Sequence, residues 1–519
     1  LVVQARSLEL LQKAGIADEM VKRGRTTVRA GFFSGRREVA RVELDDVGAD
    51  GTPYPFVLFL SQVETERAIE ARLTELGVRV ERPIKLESYQ ERADGIVAKL
   101  RHADGRIEEV SARYVIGCDG AHSAVRHAAG IPFEGAAYPQ DFILADVHID
   151  WSLEHDRIWF FLGRNGLLTV LPLGEGGLHR LIATGATAMA GADDASGNAM
   201  LTSGTAEPTL SQFQAIFDEL APERPKLTEP RWLARFRLHH RAAESYRRGR
   251  AFIAGDAAHI HSPAGGQGMN TGIQDAFNLA WKLALVLRGE CNEQLLESYE
   301  AERRPVGRAL LRYTDRLFSF ATTRQSGIAA IRTWVMPRVV PFAAGEAWRR
   351  RLAFRFISQL GLNYEGSPIV SELDGKADAA FRKGPRAGRR APDGLLKVNG
   401  RPSTLFSLMT EPSHHLLVFV APGTNSEALA RLTTQLNALR ERHRSRLEFA
   451  AIVASGTDSG SSSVVVDADG TLRLRYGVSR GACYLIRPDG YVAFRCLGNE
   501  LAPVENDLRR RFDGPAARS

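Results

Sequence analysis

Residues 250–289 read RAFIAGDAAHIHSPAGGQGMNTGIQDAFNLAWKLALVLRG, and the order of residue types in this stretch decides the fold. A short apolar run, Ala251–Ala254, ends in Gly255–Asp256; a glycine-rich turn occupies Ser262–Gly268, and a helix-forming stretch follows. Ile273, Ala276, Phe277, Ala280, Leu283, Ala284 and Leu287 recur at a period of about 3.6 residues and predict one apolar helix face. Strand, acid at the strand's end, glycine loop and helix is the junction at which open α/β sheets take up nucleotide-like ligands. Glycines let the backbone approach a flat or anionic group, and free N–H groups at a helix start favour negative charge. Taken alone, Asp256 also reads as a turn or cap residue. His259 and His261 would share a strand face, and without neighbouring carboxylate or Cys partners they read as core or solvated histidines rather than metal ligands.

Working outward, Ala112–Arg126 (ARYVIGCDGAHSAVR) predicts a buried strand, Tyr114–Gly117, then a Cys118–Asp119–Gly120 turn and a helix from Ala121. Gln62–Leu73 (QVETERAIEARL) predicts a helix with Ile69 and Leu73 facing inward. Leu1–Arg25 opens with an amphipathic helix around Leu8, Leu11 and Ala14, closed by Gly15. Val78–Arg82, Gly95–Leu100 and Ile107–Ser111 predict a small antiparallel meander. Phe142–Asp150, Arg157–Leu162, Leu167–Leu173, His179–Thr184 and Trp232–Leu238 predict a larger sheet. Leu295–Arg308 reads as a helix that Pro305 kinks or restarts. Leu310–Leu362 reads as helical, with no chemistry to assign. The basic cluster Arg382, Lys383, Arg386, Arg389 and Arg390, among glycines and prolines, reads as a solvated linker. Beyond it come a strand at His415–Val420, a helix at Ser426–Arg440, a strand at Leu447–Ala454, a Gly/Ser loop at Ser455–Ser463 and a hairpin turning at Pro488–Asp489–Gly490.

The compound run GDAAH, PxGGQGxN, DAxNLAWKLA resembles the second flavin motif of the class A FAD-dependent aromatic monooxygenases, the phenol and polyketide hydroxylase group. GCDGxxSxVR, here Cys118–Arg126, resembles that family's DG motif, and Gln62 with Glu66 resembles its Q-x-x-x-E helix. The resemblance implies an α/β fold: a Rossmann-like FAD/NAD(P)H-binding domain, an inserted mixed β-sheet domain for the substrate, and a thioredoxin-like C-terminal domain. It divides the chain at about residue 385, with the substrate sheet at about 131–250 and the thioredoxin-like domain at 386–519. It assigns Asp256 and Gln62 to the flavin ribityl chain and Asp119 to the flavin pyrophosphate and NAD(P)H use, with Ser123 and Arg126 as companions. The backbone of Pro263, Gly265, Gly266, Gln267, Gly268, Met269 and Asn270 would lie along the isoalloxazine ring, with the helix N-terminus aimed at N1–C2=O.

The implied reaction consumes NADPH or NADH and O2 and hydroxylates a phenolic or polyketide-type ring through a flavin C4a-hydroperoxide. Trp159, Phe160, Phe161 and Phe236 are candidates to line the apolar ring pocket, and plain sheet core is the competing reading for each. No residue is singled out as the catalytic base. Family members acting on simple phenols carry an acid where this chain has Leu1–Val3, which favours more acidic hydroxyquinone substrates. The C-terminal domain carries Ala421–Pro422–Gly423–Thr424 where a thiol oxidoreductase would need CxxC, so it reads as structural or as a dimerisation element for a homodimer. The first βαβ unit with GxGxxG is not in the sequence and is expected upstream of Leu1.

At 519 residues the chain has room for two to four domains, and its hydrophobic fraction of 44% and charged fraction of 25% are those of a globular protein. The net charge of +7 is spread out and not interleaved with aromatics, so it argues against nucleic-acid binding and suits anionic small molecules. Cys118, Cys291, Cys483 and Cys496 are scattered, which suits the cytoplasm and argues against a zinc site. No apolar run reaches membrane-span length and no signal peptide is visible. The six Trp residues form no WxWxIP-like pair, which argues against a flavin halogenase. A non-catalytic flavin-binding or scaffold paralogue is the alternative of a different class.

Overall fold

The computed structural model describes residues 2–26, 29–43, 50–163, 166–173, 177–185, 207–261, 266–322, 338, 342, 346–373, 378–444, 446–454 and 463–512. The architecture is mixed α/β. Its organising piece is a parallel pair: Val115–Gly117 lies beside Ala251–Ile253, with Arg247–Arg248 antiparallel on the other side. The buried run of Ala251, Phe252 and Ile253 fits a strand covered on both faces, whereas Ile116 is 42% exposed, so the predicted burial of that strand holds for Tyr114 and Gly117 only. The helix Gly268–Leu287 runs back from the end of this pair.

Next to it stands an eight-stranded mixed sheet in the order 259–260, 226–243, 133–150, 178–185, 166–172, 157–162, 29–34, 37–43. The strands predicted at 142–150, 157–162, 167–173, 179–184 and 232–238 all belong to it. Two more, Arg29–Ser34 and Arg37–Glu43, come from before the inserted region, and Arg29–Ser34 pairs in parallel with Arg157–Leu162. Helix Leu210–Leu220, closed by a Thr209/Gln212 capping box, packs Phe213, Ile216 and Phe217 against one face. The meander is Ile84–Glu91, Ile96–His102 and Ile107–Ala112. Its first strand therefore begins after Pro83 and not at Val78, since a proline interrupts any strand pairing there.

The C-terminal part is a second eight-stranded sheet in the order 371–373, 492–497, 482–486, 414–419, 447–454, 464–467, 395–398, 401–404. Strands His414–Phe419 and Leu447–Ala454 are parallel and joined through helix Ser426–Arg442, and the hairpin Ala482–Leu497 pairs antiparallel to them, a thioredoxin-like arrangement. Strand Ser371–Leu373 joins this sheet beside Val492–Leu497, and Phe381 is fully buried in its core.

Two local expectations are narrowed. Of the two readings of Pro305, the new helix start falls, because Pro305 lies inside helix Glu297–Thr322. The basic cluster is solvated at Arg382, Lys383, Arg386 and Arg389, all exposed, but carboxylates and a carbonyl tie three of its members down. Arg390 is buried, paired with Glu9 at 3.1 Å and donating to Gly51 O at 2.8 Å, while Arg386 pairs with Glu372 and Arg389 with Glu365. Among the described residues no helix is long and apolar enough to cross a membrane. The Gly/Ser loop predicted at 455–463 lies outside the described residues except at Ser463, and much of 310–362 lies outside them too.

Candidate active site

The two Asp-bearing motifs meet because their strands are neighbours. Ala254 N donates to Gly117 O at 3.0 Å, so Asp119 and Asp256 both follow the carboxyl ends of the parallel pair, the edge where open α/β sheets take ligands. Gly255 turns the chain at φ +58°, and a Cβ there would stand 3.6 Å from Gly272 Cα on the facing helix. This left-handed turn against a helix backbone is the position that calls for glycine. Asp256 projects exposed from the turn; desolvation by the surrounding protein pushes its carboxyl up, with His259 pulling the other way. Asp119 Oδ2 accepts from Ala124 N at 2.7 Å and Val125 N at 3.2 Å, fixing the start of helix Ala124–Ala128, where Ser123 Oγ accepts from Arg126 N at 3.0 Å. Buried Arg126 then ties the motifs together, donating from Nη1 to Ala257 O at 2.9 Å with its guanidinium over the Phe133 ring.

Behind the Gly255–Asp256 turn sits a hub that sequence reading missed. Asp275 is fully buried. Its Oδ2 accepts from Gly255 N at 3.0 Å and bonds His259 Nε2 at 2.8 Å, and its Oδ1 accepts from Arg303 Nε at 2.6 Å. Burial would raise this carboxyl, but Arg303 and His259 together bring it down to about 2. His259 is thus the core histidine of the bland reading, satisfied by a carboxylate 16 positions on.

The helix after the glycine loop buries the face opposite to prediction. Ala276, Ala280 and Leu287 are exposed, and Ile273, Phe277 and Ala284 are half-buried; of the apolar set only Leu283 is buried. Gln274, Asp275, Asn278 and Lys282 are buried instead. Their partners come from far along the chain. Lys282 Nζ pairs with Glu302 at 2.8 Å, Arg487 clamps Glu302 with two bonds of 2.6 and 2.9 Å and also holds Asp489, and Trp281 Nε1 donates to Asp489 at 3.2 Å. Despite burial, Arg487 and Lys282 hold Glu302 well below the usual carboxylate range; burial and Arg487 pull Lys282 down to about 8.

At the helix start, Gln267 is the N-cap residue and makes no side-chain capping bond, so the first-turn amides are left for another acceptor. Gly266 turns at φ +63° beside Val2. Asn270 is fully buried and its side chain is engaged: Oδ1 accepts from Gln4 N at 2.8 Å, and Nδ2 donates to Val2 O and Gly266 O. Gln267 Nε2 donates to Ile357 O at 2.9 Å, and Met269, like Phe160, packs against the apolar cluster of Val3, Leu8 and Leu58. Pro263 and Gly265 lie outside the described residues.

The aromatic candidates divide by strand alternation. Trp159 and Phe161 are fully buried on the face covered by helix Leu210–Leu220, so they are core and not ring-pocket lining. Phe160, between them, points the other way, stacked on Phe32 at 5.0 Å, and Phe236 stacks on Phe142 at 5.7 Å on that same face. Gln62 is exposed at the first turn of helix Gln62–Glu75 and donates to Glu66 Oε1 at 2.8 Å. That helix buries Thr65 and Ala68, leaving Ile69 37% exposed and Leu73 half-buried, one helical step from the predicted face.

Two carboxylates at neighbouring strand ends, left-handed glycines and an uncapped helix start beside an aromatic sheet face form a donor and acceptor set that fits a flavin dinucleotide. Residues 1–314 match the FAD binding domain family model, and residues 384–515 match the aromatic-ring hydroxylase C-terminal model. The chain belongs to the class A FAD-dependent aromatic monooxygenases.

Among members of this family, the chain is 34% identical over 503 residues to 6-methylpretetramide 4-monooxygenase of Streptomyces rimosus, covering 95% of this chain and 83% of that protein. It is 33% identical over 499 residues to pentachlorophenol 4-monooxygenase of Sphingobium chlorophenolicum, covering 95% and 86%. A solved anhydrotetracycline hydroxylase from Streptomyces rimosus superimposes with a TM-score of 0.70 at 28% identity, covering 100% of this chain and 91% of that one. The protein is therefore a flavin-dependent aromatic monooxygenase with FAD as its cofactor, an enzyme rather than a scaffold.

Proposed function

We propose that this monooxygenase hydroxylates a hydroxylated fused-ring aromatic compound of the polyketide type, using NADPH or NADH as the electron donor. The observation that carries the reading is the aromatic face of Phe32, Phe160, Phe142 and Phe236, whose Phe160 packs against the same apolar cluster as Met269 in the uncapped first turn of helix Gly268–Leu287. Asp256 and Gln62 would hold the ribityl chain of FAD, Asp119 the pyrophosphate side, and the backbone of Pro263–Asn270 the ring. When bound and reduced, FAD supplies the activation of O2. The chain's own part is to exclude water with its aromatic face, to orient the ring, and to stabilise negative charge at the helix N-terminus. The similarity to 6-methylpretetramide 4-monooxygenase over nearly the whole chain supports the polyketide class. The absence of an acid at Val2–Val3 supports a substrate that ionises without one.

The test is NADPH and NADH consumption by the FAD-loaded protein over a panel of phenols and hydroxyquinones, with mass analysis for added oxygen. Stimulation confined to fused-ring hydroxyquinones, with an oxygenated product, is the expected result; stimulation by monocyclic phenols alone would replace the substrate class. The reading extends to a reducing cytoplasmic setting, supported by four free cysteines, and to a homodimer. The outer strands Ser371–Leu373 and Arg401–Thr404 leave sheet edges for that contact, and sedimentation equilibrium measures it.

A further inference from the structure

A cavity of about 230 Å³ lies at the start of helix Gly268–Leu287, where Gln267 lines it, between helix Glu297–Thr322 and the end of helix Ala347–Ile357 with the segment that follows it. Its wall is mostly apolar, built by Val306, Ala309, Leu310 and Leu362 and by the edge-to-face pair Tyr313–Phe356, whose ring centroids are 4.4 Å apart. Both rings are open to solvent at the mouth, Tyr313 38% and Phe356 53% exposed, where Arg355 also stands. Aromatic side chains left exposed around a concavity are the mark of a ligand groove rather than of scattered surface residues.

The floor is polar and built. Gln267 is only 4% exposed; its Nε2 is spent on Ile357 O, while its Oε1 has no hydrogen-bond partner among the described residues. A buried amide oxygen left without a donor costs about 1–3 kcal/mol, which a ligand hydroxyl would recover. Beside it Gln359 sits at φ +61°, a left-handed conformation that a residue with a side chain rarely adopts. It is held there because its amide bridges two groups of the same helix, accepting from Gln274 Nε2 and donating to Thr271 Oγ1 at 3.1 Å. Such strain persists where the surroundings over-determine it, and it gathers at ligand sites.

We propose that this cavity is a second ring pocket, which takes the distal ring of a fused-ring substrate and accepts a hydrogen bond from a ring hydroxyl at Gln267 Oε1. The proposal rests on the reading of the protein as a hydroxylase of fused-ring compounds and adds to it the residues that select for ring number. A dry cavity of about 150 Å³ already takes one benzene ring, so this one has room for one or two fused rings. None of its walls comes from the sheet that carries Phe160 and Phe236. A monocyclic phenol held on the sheet face alone would leave this cavity empty, and only a larger ring system extending past Gln267 would fill it.

Equilibrium dialysis of the FAD-loaded protein against phenol, 1-naphthol and 1,8-dihydroxyanthraquinone tests this, with wild type, Ala309→Phe and Gln267→Leu compared. Ala309 is on the exposed side of its helix, so the larger ring fills the cavity without entering the core. The expected result is a Kd for 1,8-dihydroxyanthraquinone raised about tenfold or more in both variants, with the Kd for phenol moved by less than about twofold in Ala309→Phe. Equal shifts for all three compounds, no shift for the anthraquinone, or no anthraquinone binding by wild type would each overturn the pocket. Loss of FAD from wild type, or no oxygenated product from any ring, would strike the proposed function instead. An enzyme that hydroxylates a ring while Ala309→Phe binds the anthraquinone normally would strike the pocket alone.

Discussion

Two buried regions of this molecule are built from opposite materials. Around Trp159 the sheet buries Phe33, Phe161, Phe213 and Phe217, and strand alternation and helix period put each of them inside. Between helix Gly268–Leu287 and the last hairpin, the buried groups are Asp275, Asn278, Lys282, Glu302, Arg303, Arg487 and Asp489, none more than 4% exposed. The first region gains from area removed from water and gives way gradually when a side chain shrinks. The second gains nothing from any one member, because each charge has left water and is held only by the others. A core of the first kind fills space; one of the second kind specifies which distant segments must meet.

The contrast is sharpest at Arg487. Arg487→Met should cost about 3–5 kcal/mol in urea unfolding, because Glu302 and Asp489 would stay buried without their partner. A cost below about 1 kcal/mol would mean that the network behaves like ordinary packing. Next comes pH. Arg303 and His259 hold the folded Asp275 carboxyl at about 2 against an ordinary 3.8, so it contributes stability on the order of 2 kcal/mol. That contribution is complete above pH ~4, the unfolded value, and disappears as pH falls through ~2, when the folded carboxyl is protonated. Asp275→Asn should flatten that part of the stability–pH curve, and an unchanged slope would dissociate Asp275 from acid stability. In the apolar core, Phe161→Leu should cost only about 1 kcal/mol, with no pH dependence, as seen in thermal melts. The smallest effect belongs to a surface pair: Glu427→Gln, which unpairs exposed Arg431, should cost under about 0.5 kcal/mol and vanish in high salt, whereas the Arg487 effect should survive it.

What the sequence made legible follows the same division. The central strands of the two large sheets, the turn at Gly255–Asp256 and the DG turn were readable because apolar alternation and glycine placement are local signals, whereas Arg29–Ser34, Arg37–Glu43 and the outer strands of the second sheet were not read. Phe160 could not be separated from Trp159 and Phe161, since alternation says that neighbours face opposite ways but not which face a helix will cover. Helix Gly268–Leu287 misled because its apolar residues mark the half-open side, while its charged residues are buried against partners up to about two hundred positions away. Arg487 and Asp489 stood in plain view in the RPDGYVAxR hairpin, yet nothing local signals that a surface-type turn will be driven into the underside of another domain. The basic cluster was legible as exposed, but not its partners: Glu372 and Glu365 meet exposed Arg386 and Arg389, and Glu9 draws in Arg390 from 381 positions away.

The first helix carries a consequence of another sort. Arg6 donates to Asp489 O, Lys13 Nζ to Met409 O at 2.6 Å, and Glu9 pairs with Arg390. Helix Ala5–Lys13 also stands next to the glycine loop through Asn270, which holds Gln4 N. An emerging chain therefore has its opening helix ready long before the groups that satisfy it have been translated. The surroundings of the glycine loop are completed by a hairpin that lies 483 positions after Arg6. Assembly of this region therefore waits for the hairpin, and a nascent chain stalled before Arg487 would leave Arg6 without the Asp489 carbonyl and Glu302 without its Arg487 clamp, with Lys282 as the remaining cation on Glu302.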